Sequence, residues 1–330
     1  MCYSAQIWTD YRKYQRFGGT LDIKGYTALA GWTRRKGNWI KVVPKAMRRS
    51  MLDAGALAPE LAAISAAANE ESTANVLEEI AFQRTRQAEA RAKLASSKPT
   101  KKAESDLRVS GNKIEVAQRK LDEMAAPASE DGVDRIWPGH FAPVLIRDPE
   151  TNERRIVPMR YRCRLPGWDA AKEIEKPGTY NARRDSLSTV WRRVFGVYHG
   201  VMVVDRFYES VLLHENQQRS LMPGEREQKI EIEFKPRNGE ELLVACLWTY
   251  TEPSGEDPGF YSFAAITDRP PPEVANAGHD RCIVSIEEQD LDAWLNPTVR
   301  SAAELQGILD RGEVVRPYFE HRALVDVDAA

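Results

Sequence analysis

The chain has 330 residues, of which 42% are hydrophobic and 29% are charged, and its formal net charge is -2. This composition is that of a folded globular protein and excludes a disordered chain. Because the net charge is close to zero, any nucleic-acid site must come from a local basic patch. The sequence has neither a long apolar segment nor a signal-peptide pattern, so we expect no membrane span and predict a cytoplasmic protein.

The first 45 residues alternate short apolar runs, "GYTALAGW" and "NWIKVVPK", with Gly and charged residues, which favours strands and turns. Residues 45–126 differ, because they are rich in Ala, Glu, Lys, Arg and Gln and predict helices over 72–95 and 101–124, separated by "SSKPT". Leu107, Ile114 and Leu121 recur every seven residues, which indicates an antiparallel hairpin or a short coiled coil. We interpret this segment as an insertion within one domain spanning residues 1–330.

The basic residues of the insertion are interspersed with acidic ones, as on a solvated helix face, and a role in binding a partner protein is left open.

After the linker "AAPASEDG", runs such as "HFAPVLIRD", "RRIVPMRYR", "YHGVMVVDRFYESVL" and "GFYSFAAITD" predict a mostly antiparallel sheet. "SAAELQGILDRG" predicts a helix with a Ser N-cap. The predicted fold class is therefore α+β, β-rich, with peripheral helices and the inserted hairpin. GxGxxG, P-loop, HExxH and GxSxG motifs are absent.

The four cysteines, Cys2, Cys163, Cys246 and Cys282, are too few and too scattered for a disulfide scaffold. They form no CxxC pair and no zinc pattern with the histidines, so we expect neither a metal nor a cofactor. Cys2 differs from the others in its position. Once the initiator methionine is removed, its α-amine and thiol lie on adjacent carbons, and that pair reacts with aldehydes.

Three stretches carry side chains suited to acid-base or phosphate chemistry. In "TYNARRDSL", Asn181 offers a donor and an acceptor and Arg183 a planar fork for phosphate, although a polar helix start uses the same residues. In "VVDRFYESV", Glu209 follows apolar residues, where burial suits a general acid or base, whereas strand alternation points it into solvent. In "ANAGHDRCIVSI", His279 is either a proton shuttle or a structural loop histidine.

The order of these stretches carries more information than any one of them. An N-terminal Cys followed by "NARRDS", "RFYES", "LVACLW", "FAAIT", "GHDRCIV" and "WL" resembles the SRAP family, the SOS-response-associated peptidase-like proteins that include sensors of abasic sites in single-stranded DNA. The corresponding family motifs are Met-Cys-Gly-Arg, "NARxE", "GFYEW", "AGLW", "FxIxT", "HxRMP" and "WL". The resemblance is continuous over residues 155–297, with "HFAPVL" and "RYRCRLPGW" as further matches.

The resemblance implies a role for each matching residue. Cys2 would form a thiazolidine with the ring-opened abasic-site aldehyde, and Asn181 would position it. Arg183 would bind DNA phosphate, Glu209 would serve as the acid-base residue and in removing residues before the cysteine, and His279 would assist sugar ring opening. The implied partner is single-stranded DNA with abasic sites, which implies association with the nucleoid. Further candidates for a basic and aromatic DNA groove are Arg184, Trp168, Trp191 and Arg281.

The sequence also departs from the family pattern near the expected nucleophile. Tyr3 and Ser4 stand where the family has Gly-Arg, Asp185 replaces the Glu of "NARxE", and Ser210 replaces the Trp after the catalytic Glu. Two alternatives therefore stay open: a peptidase or amidohydrolase that uses Cys2 as an N-terminal nucleophile, and a non-catalytic scaffold that binds single-stranded DNA and engages a partner through the hairpin.

Overall fold

The computed structural model describes residues 4–126, 132–255 and 258–324, so Cys2 and Tyr3 lie outside the described residues. The strands are β1 (Ser4–Trp8), β2 (Thr20–Leu21), β3 (Val133–Ile136), β4 (Phe141–Arg147), β5 (Arg154–Tyr161), β6 (Asn181–Arg183), β7 (His199–Leu212), β8 (Lys229–Pro236), β9 (Leu242–Thr251), β10 (Phe260–Asp268), β11 (Cys282–Ile283), β12 (Ser285–Ile286) and β13 (Phe319–Leu324). The helices are α1 (Ile23–Arg35), α2 (Trp39–Val42), α3 (Lys45–Asp53), α4 (Pro59–Leu94), α5 (Lys101–Ala125), α6 (Ala170–Glu175), α7 (Leu213–Asn216), α8 (Pro272–Asn276), α9 (Leu291–Leu295) and α10 (Ala302–Val315).

Five strands close into a barrel. β9 pairs with β10, β10 with β5, β5 with β4, β4 with β7, and β7 pairs back onto β9. The pairs β10–β5 and β10–β6 are parallel, whereas the other barrel pairs are antiparallel. β1 and β8 extend the sheet beyond the barrel by pairing with the second half of β7. The predicted α+β class and mostly antiparallel sheet are confirmed.

Alternation along the barrel strands separates two apolar clusters. Residues of one face, such as Leu145, Val201 and Leu247, pack with helix residues that include Trp39 and Trp294. The alternate residues of the same strands pack together on the opposite, inward face, with few contributions from helices. Burial of both faces explains why these strands read as nearly continuous apolar runs.

The N-terminal segment is helical where the sequence favours strands. "GYTALAGW" lies in α1 and "NWIKVV" begins in α2. The buried residues of α1 include Tyr26, Leu29, Ala30 and Thr33, which follow the spacing of one helix face. The first 45 residues do contain the strands β1 and β2. The strand prediction for "GYTALAGW" and "NWIKVVPK" was wrong, because two glycines in α1 masked its helical period. Tertiary burial of the face outweighs their low helix propensity.

The two long helices of the predicted hairpin are present, and the first is longer than predicted. α4 begins at Pro59, a residue well suited to the first helical turn, rather than near residue 72. Ala103, Ser110 and Ala117 of α5 are buried at heptad spacing. Ion pairs join Arg86 to Asp106 at 2.5 Å and Lys113 to Glu79 at 3.7 Å, an antiparallel register. No helix in the described part of the chain is both long enough and apolar enough to cross a membrane.

Candidate active site

Glu209 and His279 meet in a buried contact. The Nε2 of His279 lies 3.2 Å from Oε2 of Glu209, and their side chains are 5% and 0% exposed. The two residues are 70 positions apart in sequence, so only the tertiary fold brings them together. A carboxyl and an imidazole at this distance can exchange a proton directly.

The position of Glu209 follows from strand alternation in β7. Its neighbours on the same face of the strand, Phe207 and Val211, belong to the inward apolar cluster. Tyr208 and Ser210 occupy the opposite face. Glu209 therefore points toward the apolar interior, not into solvent, and the solvent-facing alternative raised by the sequence is wrong. Burial excludes water from this carboxyl group, so its charge is balanced mainly by protein groups.

His279 is held by the loop between α8 and β11. Its backbone N–H donates to the carbonyl of Val274 at 3.2 Å, and the side-chain amide of Asn216 donates to the carbonyl of Ala277 at 3.0 Å. The Nδ1 of His279 lies 2.9 Å from the carbonyl oxygen of Arg281. Burial is the main cause that lowers the pKa of His279 below its ordinary value, which favours the neutral imidazole at neutral pH.

These contacts define where the protons lie. A carbonyl oxygen only accepts hydrogen bonds, so Nδ1 of His279 carries a proton and donates it to Arg281. In a neutral imidazole Nε2 is then an acceptor, and its contact with Glu209 requires one proton between Nε2 and Oε2. Such a pair is equipped to give and take back one proton.

Asn181 and Arg183 lie on β6, beside the carboxyl-terminal half of β10. Asn181 is opposite Ala265 and Arg183 is opposite Thr267, whose other neighbour is Ile283 of β11. Because β11 begins shortly after His279, both segments approach the same end of β10. The Asn181 side chain is buried, whereas Arg183 is exposed and pairs with Asp185 at 2.5 Å.

The remaining predicted DNA-binding residues differ in accessibility. The Arg184 guanidinium donates to Gln306 at 2.9 Å and forms ion pairs with Asp268 at 3.2 Å and with Asp310, and it is only 14% exposed. Trp191 is buried in the apolar cluster next to the helices. Both side chains thus act within the fold, and neither presents a free surface to a base or a phosphate. α10 accounts for the burial of Arg184, because Gln306 and Asp310 of that helix bind its guanidinium.

Trp168 is half-buried against the apolar cluster, and Arg281 is mostly buried beside Asp280, 3.6 Å away. Trp168, Arg281 and the exposed Arg183 are thus the predicted DNA contacts whose side chains keep some accessible surface. Two further exposed arginines, Arg192 and Arg193, follow Trp191. The local basic character predicted for this region therefore lies in the arginines at its surface.

The cysteines within the described residues are unsuited to nucleophilic chemistry. Cys163, Cys246 and Cys282 are unbridged and buried. Burial raises the pKa of Cys163 to about 12 and raises the pKa of the other two thiols as well. Since the thiolate is the reactive form, these groups are inert at neutral pH. Within the same residues there is no group of three His, Cys, Asp or Glu side chains that could hold a metal ion.

Sequence reasoning missed Arg135, which lies beside the beginning of β1. Arg135 is on β3, and its guanidinium donates to the Ser4 hydroxyl at 2.7 and 3.0 Å and to Glu231 at 2.8 Å. It also lies over the Tyr208 ring, 3.8 Å from the centroid. The short β3 follows a polar linker and gives little strand signal. An arginine therefore stands next to the position where the family pattern expects one and the sequence has Ser4.

Comparison with known proteins identifies a matching family and several similar solved structures. Residues 94–320 match the sequence profile of SRAP, described as SOS response associated peptidase. No curated protein matches the sequence. Similar solved structures include a protein from Bordetella bronchiseptica, with 19% identity, coverage of 61% of this chain and 90% of that chain, and a TM-score of 0.45. A protein from Bacteroides thetaiotaomicron has 13% identity, 58% and 78% coverage, and a TM-score of 0.44. A phage-related protein from Bordetella bronchiseptica has 19% identity, 61% and 85% coverage, and a TM-score of 0.41.

Proposed function

The chain belongs to the SRAP family, the SOS response associated peptidases, and on this premise we propose that it captures abasic sites in single-stranded DNA through a covalent bond to Cys2. The observation that carries the proposal is the buried contact between Glu209 and His279. These residues match the family motifs, and their contact supports a role in proton transfer. The peptidase competence implied by the family is part of the proposal.

The first step opens the abasic sugar. In the closed form the C1′ hydroxyl loses a proton, the bond from C1′ to the ring oxygen breaks, and the ring oxygen gains a proton. The product is an aldehyde at C1′. One group must accept a proton while another donates one, and the pair of Glu209 and His279 does this without leaving a net charge in the apolar interior.

The second step joins protein and DNA. The α-amine of Cys2 adds to the aldehyde and water leaves, which gives an imine. The thiol then adds to the imine carbon, and its proton passes to nitrogen, closing a five-membered thiazolidine ring. This closure is intramolecular and therefore favoured by effective concentration. Because the three buried cysteines are held as thiols, Cys2 is the cysteine suited to this reaction.

The test is an intact-mass measurement on the full chain. Loss of Met1, followed by a stable adduct with a single-stranded oligonucleotide that contains one abasic site, is expected. Cys2→Ala and Cys2→Ser both keep the α-amine but lack the thiol. Each variant should therefore form no stable adduct unless the imine is reduced with borohydride. Cys163→Ala removes a buried thiol and serves as the matched control that still crosslinks.

Three results would overturn the proposal. If Cys2→Ala crosslinks as well as the wild type, the thiazolidine is wrong. If the wild type forms no adduct but cleaves peptides in a manner that depends on Cys2, the chain is an N-terminal-nucleophile hydrolase. Binding of single-stranded DNA that neither crosslinks nor depends on Cys2 identifies the non-catalytic scaffold, and a steep salt dependence is expected for it.

A further inference from the structure

A cavity of about 870 Å³ lies where the helical hairpin meets the β-rich domain. Its walls come from α2, α3, α4, α5, β3 and the loop after β3. The volume falls within the range of about 300–1,000 Å³ that is typical of small-molecule sites. Ile40, Val43, Val76 and Met124 form its aliphatic wall. The cavity exists because the hairpin is present.

Positive charge predominates in this cavity. Its cationic lining residues are Lys41, Lys45, Arg48, Lys120 and Arg135. The acidic ones are Glu79, Glu123 and Asp134, and one of the cations, Arg135, donates to Glu231 outside the cavity lining at 2.8 Å. Two of the acidic side chains have hydrogen-bond partners within the protein. The Asp134 carboxylate accepts from the Thr9 hydroxyl at 2.6 Å and from the Ala46 N–H at 2.7 Å, and Glu79 accepts from Gln83 at 3.0 Å.

Two buried nitrogen atoms at the cavity lack hydrogen-bond partners among the described residues. They are Nε of Arg48 and Nδ1 of His140. Burial lowers the pKa of Arg48, and burial followed by the charge of Arg48 lowers the pKa of Lys45. Unsatisfied buried donors and crowded cations both cost free energy, and a bound anion relieves both costs. The cavity is therefore suited to a ligand that combines a phosphate with an apolar surface.

Arg135 connects the cavity to the proposed reaction site. It lines the cavity and donates to Ser4, two residues after Cys2. Two residues of chain span at most about 7 Å, so a strand covalently held at Cys2 would begin close to Ser4, the residue that Arg135 binds. A nucleotide presents a phosphate for the cations and a base for the aliphatic wall.

We propose that the cavity between the hairpin and β3 binds a nucleotide of the DNA strand that flanks the abasic site, with Lys41 and Lys120 contacting its phosphate. This inference rests on the proposed function and assigns the hairpin a role in holding the substrate. Arg135, whose guanidinium binds Ser4 and Glu231, is the structural link between the cavity and the start of β1.

The test compares two double variants of the full chain. Lys41→Ala/Lys120→Ala removes one exposed cation from each of two cavity walls. Lys102→Ala/Arg119→Ala removes the same charge from exposed positions of α5 that do not line the cavity. Affinity is measured by fluorescence anisotropy with an undamaged single-stranded oligonucleotide of about 12 nucleotides. The salt dependence of binding and crosslinking to an abasic oligonucleotide are measured in parallel.

The cavity variant should bind the undamaged strand about tenfold more weakly, with a salt slope reduced by about 1.4, whereas the control variant should bind like the wild type. Equal affinities of the cavity variant and the wild type would refute the cavity proposal, and crosslinking by the wild type would then leave the proposed function intact. Absence of crosslinking overturns the proposed function, while the anisotropy comparison still decides on the cavity. If dAMP binding depends on Lys41 and Lys120 but strand binding does not, the site serves a free nucleotide and the strand proposal is wrong.

Discussion

The same substitution is expected to have opposite effects at two positions of α10. Replacing Gly by Ala in a helix interior gains about 1 kcal/mol of helix propensity. At Gly307 an added Cβ has only the end of the Arg311 side chain nearby, 3.7 Å away. Gly307→Ala should therefore raise the free energy of unfolding by about 0.5–1 kcal/mol.

At Gly312 the helix lies directly against β12. A Cβ there would be 1.9 Å from the carbonyl oxygen of Ser285 and 3.0 Å from its carbonyl carbon, and both are backbone atoms. The helix must move away, and overpacking of this kind costs about 1–3 kcal/mol or more. Movement also disturbs the bonds from Arg184 to Gln306 and Asp310. We expect a net loss of about 2 kcal/mol for Gly312→Ala.

Urea unfolding followed by tryptophan fluorescence measures both variants, and Gly307→Ala serves as the control for helix propensity. The slope of the free energy against urea should stay unchanged, since neither substitution alters the surface exposed on unfolding. If Gly312→Ala has the same free energy of unfolding as Gly307→Ala, the close contact between α10 and β12 is refuted.

Three further predictions concern buried polar groups. Burial lowers the pKa of His199 from 6.5 to about 3, so below pH 6.5 the unfolded chain binds a proton that the folded chain does not. From pH 7.5 to 5, wild type should lose about 2 kcal/mol more than His199→Gln by urea unfolding, and equal losses would contradict the buried neutral imidazole. Trp294→Phe removes the donor to the Gly200 carbonyl, 3.0 Å away, and should lower the free energy of unfolding by about 1–3 kcal/mol, whereas an unchanged midpoint argues against that bond. Glu209→Gln should slow crosslinking by about 10²-fold or more in single-turnover assays and flatten its pH profile, and a wild-type rate would exclude proton transfer by Glu209.

The local sequence pattern was sufficient to predict most strands of the barrel. The apolar runs that became β4, β5, β7 and β10 are continuous because both faces of each strand are buried, and this signal is readable without the fold. Ser301 and Glu304 form the capping box that begins α10, as the sequence predicts. The helix α1 was missed because its apolar spacing competes with glycines of low helix propensity.

The candidate site was only partly readable. Sequence order identified Asn181, Glu209 and His279 through their motifs, but it did not determine their surroundings. Whether Glu209 faces solvent or the interior depends on the register of β7, and register is set by strands far away in sequence. For the same reason the sequence did not reveal that α10 binds the Arg184 guanidinium, that Trp191 is buried, or that Arg135 lies beside Ser4.

The sequence by itself thus determined the residue types of the site, the α+β class and the two long helices, because propensity and periodicity are local properties. Only the tertiary structure decided that Nε2 of His279 lies 3.2 Å from Oε2 of Glu209 in an apolar interior, that the barrel closes through β7 and β9, and that the hairpin lines a cationic cavity. Each of these depends on contacts between distant segments. Such contacts depend on how whole surfaces pack, which no short stretch of sequence encodes.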